Sequence, residues 1–416
     1  MDCLQKMRWP ALLLLLVCNA TCVRRTDTHS PAEGISWSES VVAGSPLDFM
    51  EARHIVLRGS NYAIGHKLAE MAQTLQARPQ PGADPLRNRA QREYMKQFYP
   101  VLYERMRGLA AGFGIDLNND DYDFSALSQF PTGPPGCSVV FYPGIHTDNG
   151  HSILSRNYDF TTGTLKGKRP QEHEMAVMYR PYLFEIYPDQ GYASLSLCVF
   201  DLLGGVLDGI NSEGLAVAIL ADDATIVTHG LEPANGVGLH ELLSMRYVLD
   251  TCRDIDEAKQ ALLMAKHYYS FIPCHYLIAD RSGRSTVFEF SPVRNSTHCI
   301  DGHGPQWVTN HLLSSYPTVD LFPEESMIDS FQRYRMLQHS IQEKSRFSLA
   351  EIKAVNASVA AADVGSGSPE YAPHRTLWHS LYDLQDRRLE VKFYLGEGEN
   401  GVRYSEDLSF QLEAGP

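Results

Sequence analysis

The segment Pro131-Thr132-Gly133-Pro134-Pro135-Gly136 divides the chain into two parts with different patterning. Proline fixes φ and lacks an N–H, so paired prolines between glycines end a helix and keep a central strand from running through. Upstream, apolar residues recur at helical spacing: Ile64, Leu68 and Met71 share one face, and Leu102, Met106 and Leu109 another. Helices are expected from Gly59-Ser60-Asn61 to about Ala77, from Leu86 to about Tyr99, and from Val101 to Gly112 and Gly114. Residues before 50 are polar and irregular and read as a flexible lead-in, followed by a short strand at 54–57. Downstream, Cys137 opens a strand-like run. Strands are expected at 138–142, 151–157, 175–187, 192–200, 205–210, 215–220, 275–279, 285–290, 381–383 and 389–395. Turns at Asp148-Asn149-Gly150, Asn211-Ser212-Glu213-Gly214 and Asp280-Arg281-Ser282-Gly283 join several of them, and helical patterns lie at 238–250, 255–266, 328–345 and 349–361. Antiparallel strands interrupted by helical pairs predict an α+β architecture, two sheets face to face with helices outside. Parallel βαβ order and a glycine-rich phosphate loop are absent from the sequence.

The N-terminal 22 residues read as a secretory signal: Lys6 and Arg8, the apolar run Ala11 to Val17, then small residues around Ala20. That run is shorter than the ~20 residues a membrane span needs, and no other stretch reaches that length. The expected destination is the secreted space or the lysosomal lumen. Two sequons, at Asn295 and Asn356, fit that route as glycosylation sites. A net charge of −14 argues against nucleic acid or anionic membrane as the main partner.

Beyond the leader, Cys137, Cys198, Cys252, Cys274 and Cys299 remain, with Cys22 depending on where the leader is cut. In an oxidising compartment disulfides are expected among them, and an odd count leaves one thiol unpaired. Cys137 is the candidate for that thiol. Cys-x-x-Cys pairs are absent, so the sequence calls for no metal and no cofactor.

A thiol attacks a carbonyl as thiolate and needs a base. An internal cysteine borrows a histidine, and any of the sixteen histidines is a possible partner. A cysteine at a chain terminus has its own α-amine, with a pKa of ~8. Gly136 before Cys137 leaves the carbonyl unobstructed for attack by the thiol. In the strand ending at Ser155-Arg156-Asn157-Tyr158-Asp159-Phe160, alternation puts Arg156 and Tyr158 on one face and Asn157 and Asp159 on the other.

Gly136-Cys137-Ser138 followed by Arg156-Asn157-Tyr158-Asp159-Phe160 resembles the N-terminal-nucleophile hydrolases of the choloylglycine hydrolase and penicillin V acylase superfamily, most of all the self-processing isopenicillin-N acyltransferase group, peptidase family C45. Leu207 to Leu220, Val308 to Leu312, Ser330 to Leu337 and Thr376 to Val391 follow in that group's order. The resemblance implies a four-layer αββα sandwich and autocleavage at Gly136–Cys137. It implies Cys137 as nucleophile and base, Arg156 and Asp159 as residues orienting it, and Asn310 in the oxyanion hole. Arg333 becomes a late active-site arginine, with Arg335 as the other register. One departure is Ala221-Asp222-Asp223, where the bile-salt branch carries an asparagine, so the second oxyanion donor is open.

The expected organisation is therefore a leader (1–22), a helical subunit (23–136) that stays associated after cleavage, and a catalytic subunit (137–416). The expected activity is cleavage of linear amide C–N bonds in small N-acyl or lipid-like substrates through a thioester, with water or an amine resolving it. Two alternatives stand beside it: a Cys/His endopeptidase without self-processing, and a silent binding protein on the same scaffold. The acidic run Asn118 to Asp123 reads as a solvated loop, and Trp307 and Trp378 as core residues.

Overall fold

Helix starts in the N-terminal third follow their capping chemistry. Ser60 Oγ accepts from the Ala63 N–H at 3.1 Å and opens α1 (Asn61–Thr74). Asp84 caps α2 (Pro85–Phe98), Pro100 begins α3 (Pro100–Phe113), and Gly114 at φ +67° ends it. Helices α1 and α3 approach so closely that a Cβ at Gly65 would lie 1.9 Å from the Arg105 carbonyl oxygen, and one at Gly108 1.8 Å from that of Tyr62. Only glycine fits there.

The computed structural model describes residues 34–413 apart from 76, 80, 83, 128–135, 165–166, 172–173, 200, 231–235, 292, 327, 362–369 and 400. These belong to one unit, Glu33–Pro416. The expected leader and the Pro131–Pro135 segment lie outside the described residues.

Sixteen strands are described: β1 (Ser36–Gly44), β2 (Glu51–Gly59), β3 (Gly136–Tyr142), β4 (Ile153–Thr161), β5 (Tyr182–Pro188), β6 (Ser194–Cys198), β7 (Val206–Asn211), β8 (Leu215–Ala221), β9 (Cys274–Asp280), β10 (Ser285–Ser291), β11 (Ser296–Asp301), β12 (Gln306–Val308), β13 (His374–Asp383), β14 (Arg388–Gly398), β15 (Gly401–Tyr404) and β16 (Leu408–Gln411). The later helices are α4 (Asp223–His229), α5 (Glu241–Thr251), α6 (Ile255–Met264), α7 (Ser330–Gln342) and α8 (Leu349–Ser358). One sheet runs β1-β2-β5-β6-β7-β8-β9-β10-β11, the other β12-β3-β4-β13-β14-β15 with β16 beside β14. Pairing is antiparallel throughout except between β2 and β5. The fold is the expected α+β arrangement of two sheets. The lead-in is a correction, because residues 36–44 form β1 against β2 rather than a flexible arm.

Period-two alternation along β3 builds the layers. Cys137, Val139 and Phe141 enter the core between the sheets, while Val140 and Tyr142 face Leu337 and Ile341 of α7 and Ile352 of α8. Helices α5 and α6 cover the other sheet over β7, β8 and β9. The order is helices, sheet, sheet, helices. Among the described residues no helix is long and apolar enough to cross a membrane.

The expected disulfides are absent among the described residues: all five cysteines from 137 onward are free. Geometry explains one pairing directly. Cys274 on β9 and Cys299 on β11 are separated by β10, and two strand spacings, about 10 Å, exceed the ~7 Å limit between bridged Cα atoms. Of the two sequons, Asn295 is exposed in the turn before β11. Asn356 is not an acceptor, being 1% exposed on the inner face of α8.

Candidate active site

Strand pairing brings the expected residues together around Cys137. In the β3–β4 ladder Gly136 lies opposite Asp159, Cys137 opposite Tyr158 and Val139 opposite Arg156. Arg156 is thus the diagonal neighbour of Cys137 on the same face, as the alternation predicts. Its Nη2 donates to Cys137 Sγ at 3.3 Å and to the Ile219 carbonyl at 2.7 Å. Nη1 reaches Asp208 Oδ2 at 2.6 Å and donates to the Leu207 carbonyl. Burial alone would lower the Arg156 pKa, but Cys137 and Asp208 outweigh it and hold the guanidinium charged.

Asp208 is the residue that sequence reasoning missed. It lies on β7, in the opposite sheet, and accepts from Trp378 Nε1 at 3.3 Å, from Ser380 Oγ at 3.2 Å and from the Tyr382 hydroxyl, besides Arg156. The three donors alternate along β13 and share its inner face. Trp378 is therefore more than core filling: it stacks on Tyr158 at 4.0 Å while donating to the carboxylate. This carboxylate joins the two sheets and fixes the arginine that contacts the sulfur. Leu207 to Leu220 carries the resemblance, yet nothing in that stretch marks Asp208 over its neighbours.

The nitrogen and carbonyl of Cys137 are held from the other side. Val308 of β12 pairs with Val139, so two residues further on Asn310 stands opposite Cys137. Its Oδ1 accepts from the Cys137 N–H at 2.7 Å and from Arg333 Nη2 at 2.8 Å, while its Nδ2 donates to the Ala221 carbonyl at 3.0 Å. Arg333, on α7, also donates through Nη1 to the Cys137 carbonyl. The register question is resolved: Arg333 is 6% exposed at the site, and Arg335 lies instead over the Phe322 ring.

The Asp159 side chain leaves β4 on the face opposite to that of Arg156, as expected from the alternation, while its main chain hydrogen-bonds to the Cys137 thiol. It meets Arg333 at 4.0 Å and accepts from the Thr376 hydroxyl. Burial lifts its pKa to about 6 against the pull of Arg333 and Thr376. At the departure noted above, Asp222 caps α4 through the Thr225 N–H at 3.1 Å, and the Asp223 N–H donates to the Asn310 carbonyl at 3.1 Å. Burial also raises the Cys137 thiol, opposed by Arg156. Among the described residues no histidine hydrogen-bonds to Cys137.

Two solved structures are similar in part. One is a mutant of conjugated bile acid hydrolase from Clostridium perfringens, 16% identical, covering 67% of this chain and 97% of that one with a TM-score of 0.45. The other is penicillin V acylase from Agrobacterium tumefaciens, 16% identical, covering 64% and 84% with a TM-score of 0.40. A search of curated proteins finds no match. The family described as Acyl-coenzyme A:6-aminopenicillanic acid acyl-transferase matches residues 145–399. That span holds Arg156, Asp208, Asn310 and Arg333 but begins after Cys137, whose assignment rests on geometry. With more than half its length matched, the chain belongs to the acyl-coenzyme A:6-aminopenicillanic acid acyl-transferase family of N-terminal-nucleophile hydrolases.

Proposed function

We propose that this protein is a self-processing cysteine amidohydrolase or acyltransferase that cuts its own Gly136–Cys137 bond and then cleaves linear amides of small N-acyl substrates. The observation that carries the reading is that one residue has both of its reactive atoms held by separate polar side chains. Arg156 contacts Cys137 Sγ, and Asn310 contacts Cys137 N.

In the first step Sγ attacks the Gly136 carbonyl, the C–N bond breaks, and the amide nitrogen takes the proton to become a free amine. Water then hydrolyses the thioester, leaving a carboxylate on Gly136 and a thiol on Cys137. In turnover the new α-amine accepts the thiol proton as Sγ attacks the substrate carbonyl. The tetrahedral oxyanion needs donors, and Asn310 Nδ2, which donates to the Ala221 carbonyl here, is the proposed one. The departing amine takes the proton from the α-ammonium, and water or a second amine resolves the acyl-enzyme. Export to the secreted space or the lysosome, a leader at 1–22 and association of the two cleavage fragments complete the proposal.

The test is expression of the full chain with and without Cys137→Ala, followed by intact mass measurement. The expected result is two fragments from the wild type, the second beginning with Cys137, and one uncut chain from the variant. Uncut wild type that still hydrolyses peptides would favour the Cys/His alternative instead.

A further inference from the structure

Asn310 stands just past the end of a sheet edge. The ladder between β12 and β3 stops at Val308, and β12 is the outermost strand of its sheet, so that ladder does not fix the residues that follow. Thr309, Asn310 and His311 are nevertheless fully buried, and buried main-chain groups need partners. Side chains supply them from two flanks. At the start of α7, the Ser330 carbonyl accepts from Thr309 Oγ1 at 3.0 Å, and Ser330 Oγ lies 2.8 Å from His311 Nδ1. From β9, His275 Nε2 lies 2.7 Å from the Thr309 carbonyl oxygen. A carbonyl only accepts, so Nε2 carries the hydrogen and donates it.

His275 is itself held in place. In the β9–β10 ladder it lies directly opposite Glu289, and its Nδ1 stands 3.5 Å from Glu289 Oε1. The same carboxylate accepts from the Leu313 N–H at 2.6 Å and from the Ser314 N–H at 3.0 Å. Burial pushes the Glu289 carboxyl up, yet His275 and Ser314 bring it below its ordinary value, so it is ionised at neutral pH. Both residues are fully buried. A buried pair of this kind adds little net stability, and an apolar pair of the same volume can pack as well. An apolar pair could not bind the Thr309 carbonyl or the two N–H groups, and those groups bracket Asn310.

We propose that His275 is a positioning residue: by donating to the Thr309 carbonyl it sets where the Asn310 amide stands against Cys137. The inference deepens the amidase reading, on which the part played by Asn310 rests. The Thr309 carbonyl and the Asn310 N–H belong to one planar peptide, so holding the oxygen fixes the plane from which the Asn310 side chain springs. Oδ1 of that side chain accepts from the Cys137 N–H and from Arg333 Nη2, and Nδ2 donates to the Ala221 carbonyl. A tilt of the peptide plane moves all three contacts at once. His275 makes none of them, so its effect is carried through Asn310.

The test separates the two nitrogens of His275 in the full-length chain. Glutamine places an amide N–H where Nε2 lies and asparagine places one where Nδ1 lies, so His275→Gln keeps the Thr309 contact and His275→Asn gives it up. His275→Asn is expected to slow self-cleavage by about 10- to 100-fold. His275→Gln is expected to stay within about threefold of wild type. His275→Met, which fills the volume without a donor, is expected to match His275→Asn and replaces it should the asparagine variant not fold. In an Asn310→Ala background, His275→Asn is expected to slow cleavage by no more than about twofold further. A readout without cleavage is the side-chain amide signal of Asn310 in the Cys137→Ala chain labelled at asparagine, recognised by its loss in Asn310→Ala. That signal is expected to shift with His275→Asn and to stay with His275→Gln. Equal cleavage rates in the two variants, slowing that multiplies in full on Asn310→Ala, or a signal that ignores His275→Asn overturns the inference and leaves the amidase reading standing. A signal that moves as expected, in a protein whose wild type stays uncut, supports the positioning role and sinks the self-processing.

Discussion

The two flanks of Cys137 are built differently. On the sulfur side, Arg156 and Asp208 lie fully buried between the sheets with Trp378, Ser380 and Tyr382 around them. On the nitrogen side, Asn310, Arg333 and Asp159 sit at a strand end under α7, where one carboxyl is lifted to about 6 and Oδ1 of Asp223 has no hydrogen bond among the described residues. The first arrangement is closed and fixes geometry. The second holds one guanidinium between two carboxyls.

Removing Arg156 tests that contrast hardest. Arg156→Ala leaves Asp208 buried without its cation, and losing one partner of a buried pair costs about 3–5 kcal/mol. Urea denaturation is expected to show that loss together with an uncut chain. Asn310→Ala removes three buried hydrogen bonds around Cys137 rather than a buried charge. Self-cleavage is expected to slow by about 100- to 1,000-fold, followed by timed electrophoresis, with a loss of stability smaller than that of Arg156→Ala. If both variants lose stability equally, the two flanks are not distinct.

Asp159 gives the contrast a pH signature. Its folded pKa of about 6 lies above the ordinary 3.8, so between those values the folded chain holds a proton that the unfolded chain has released. The stabilising contribution is therefore complete below about pH 4 and lost as pH rises through about 6, a span worth about 3 kcal/mol. Asp159→Asn is expected to flatten the stability profile over that window. A profile unchanged by the substitution would remove Asp159 from the account. The smallest expected effect is at Arg335, whose contact with the Phe322 ring is worth about 0.5–1 kcal/mol. Arg335→Ala is expected to process at nearly the wild-type rate, while Arg333→Ala does not.

Much of this site is legible in the sequence because strand alternation carries it. Once 138–142 and 151–157 are read as a hairpin, the facing of Arg156 and Asp159 follows from period two alone. The contribution of Asp208 does not follow, because it depends on which sheets face each other. Fifty acidic residues are present, and only sheet-on-sheet packing separates this one from the rest. Strand β1 was illegible for a related reason: Ser36, Ser38, Glu39 and Ser40 make an edge strand paired on one side, without an apolar alternation. Helix α4, seven residues containing Thr225, Ile226 and Val227, carries no helical stripe. Asn356 misled because a sequon says nothing about which face of a helix it occupies.

The complete burial of Cys137 has a chemical consequence. Oxidants and alkylating agents act on exposed thiolates, and this thiol is 0% exposed with its pKa raised. Cys299, only partly buried, is the cysteine such reagents reach more readily. The fold thus holds the Cys137 thiol in a chemically silent form, shielded from oxidation and alkylation by the two sheets that enclose it.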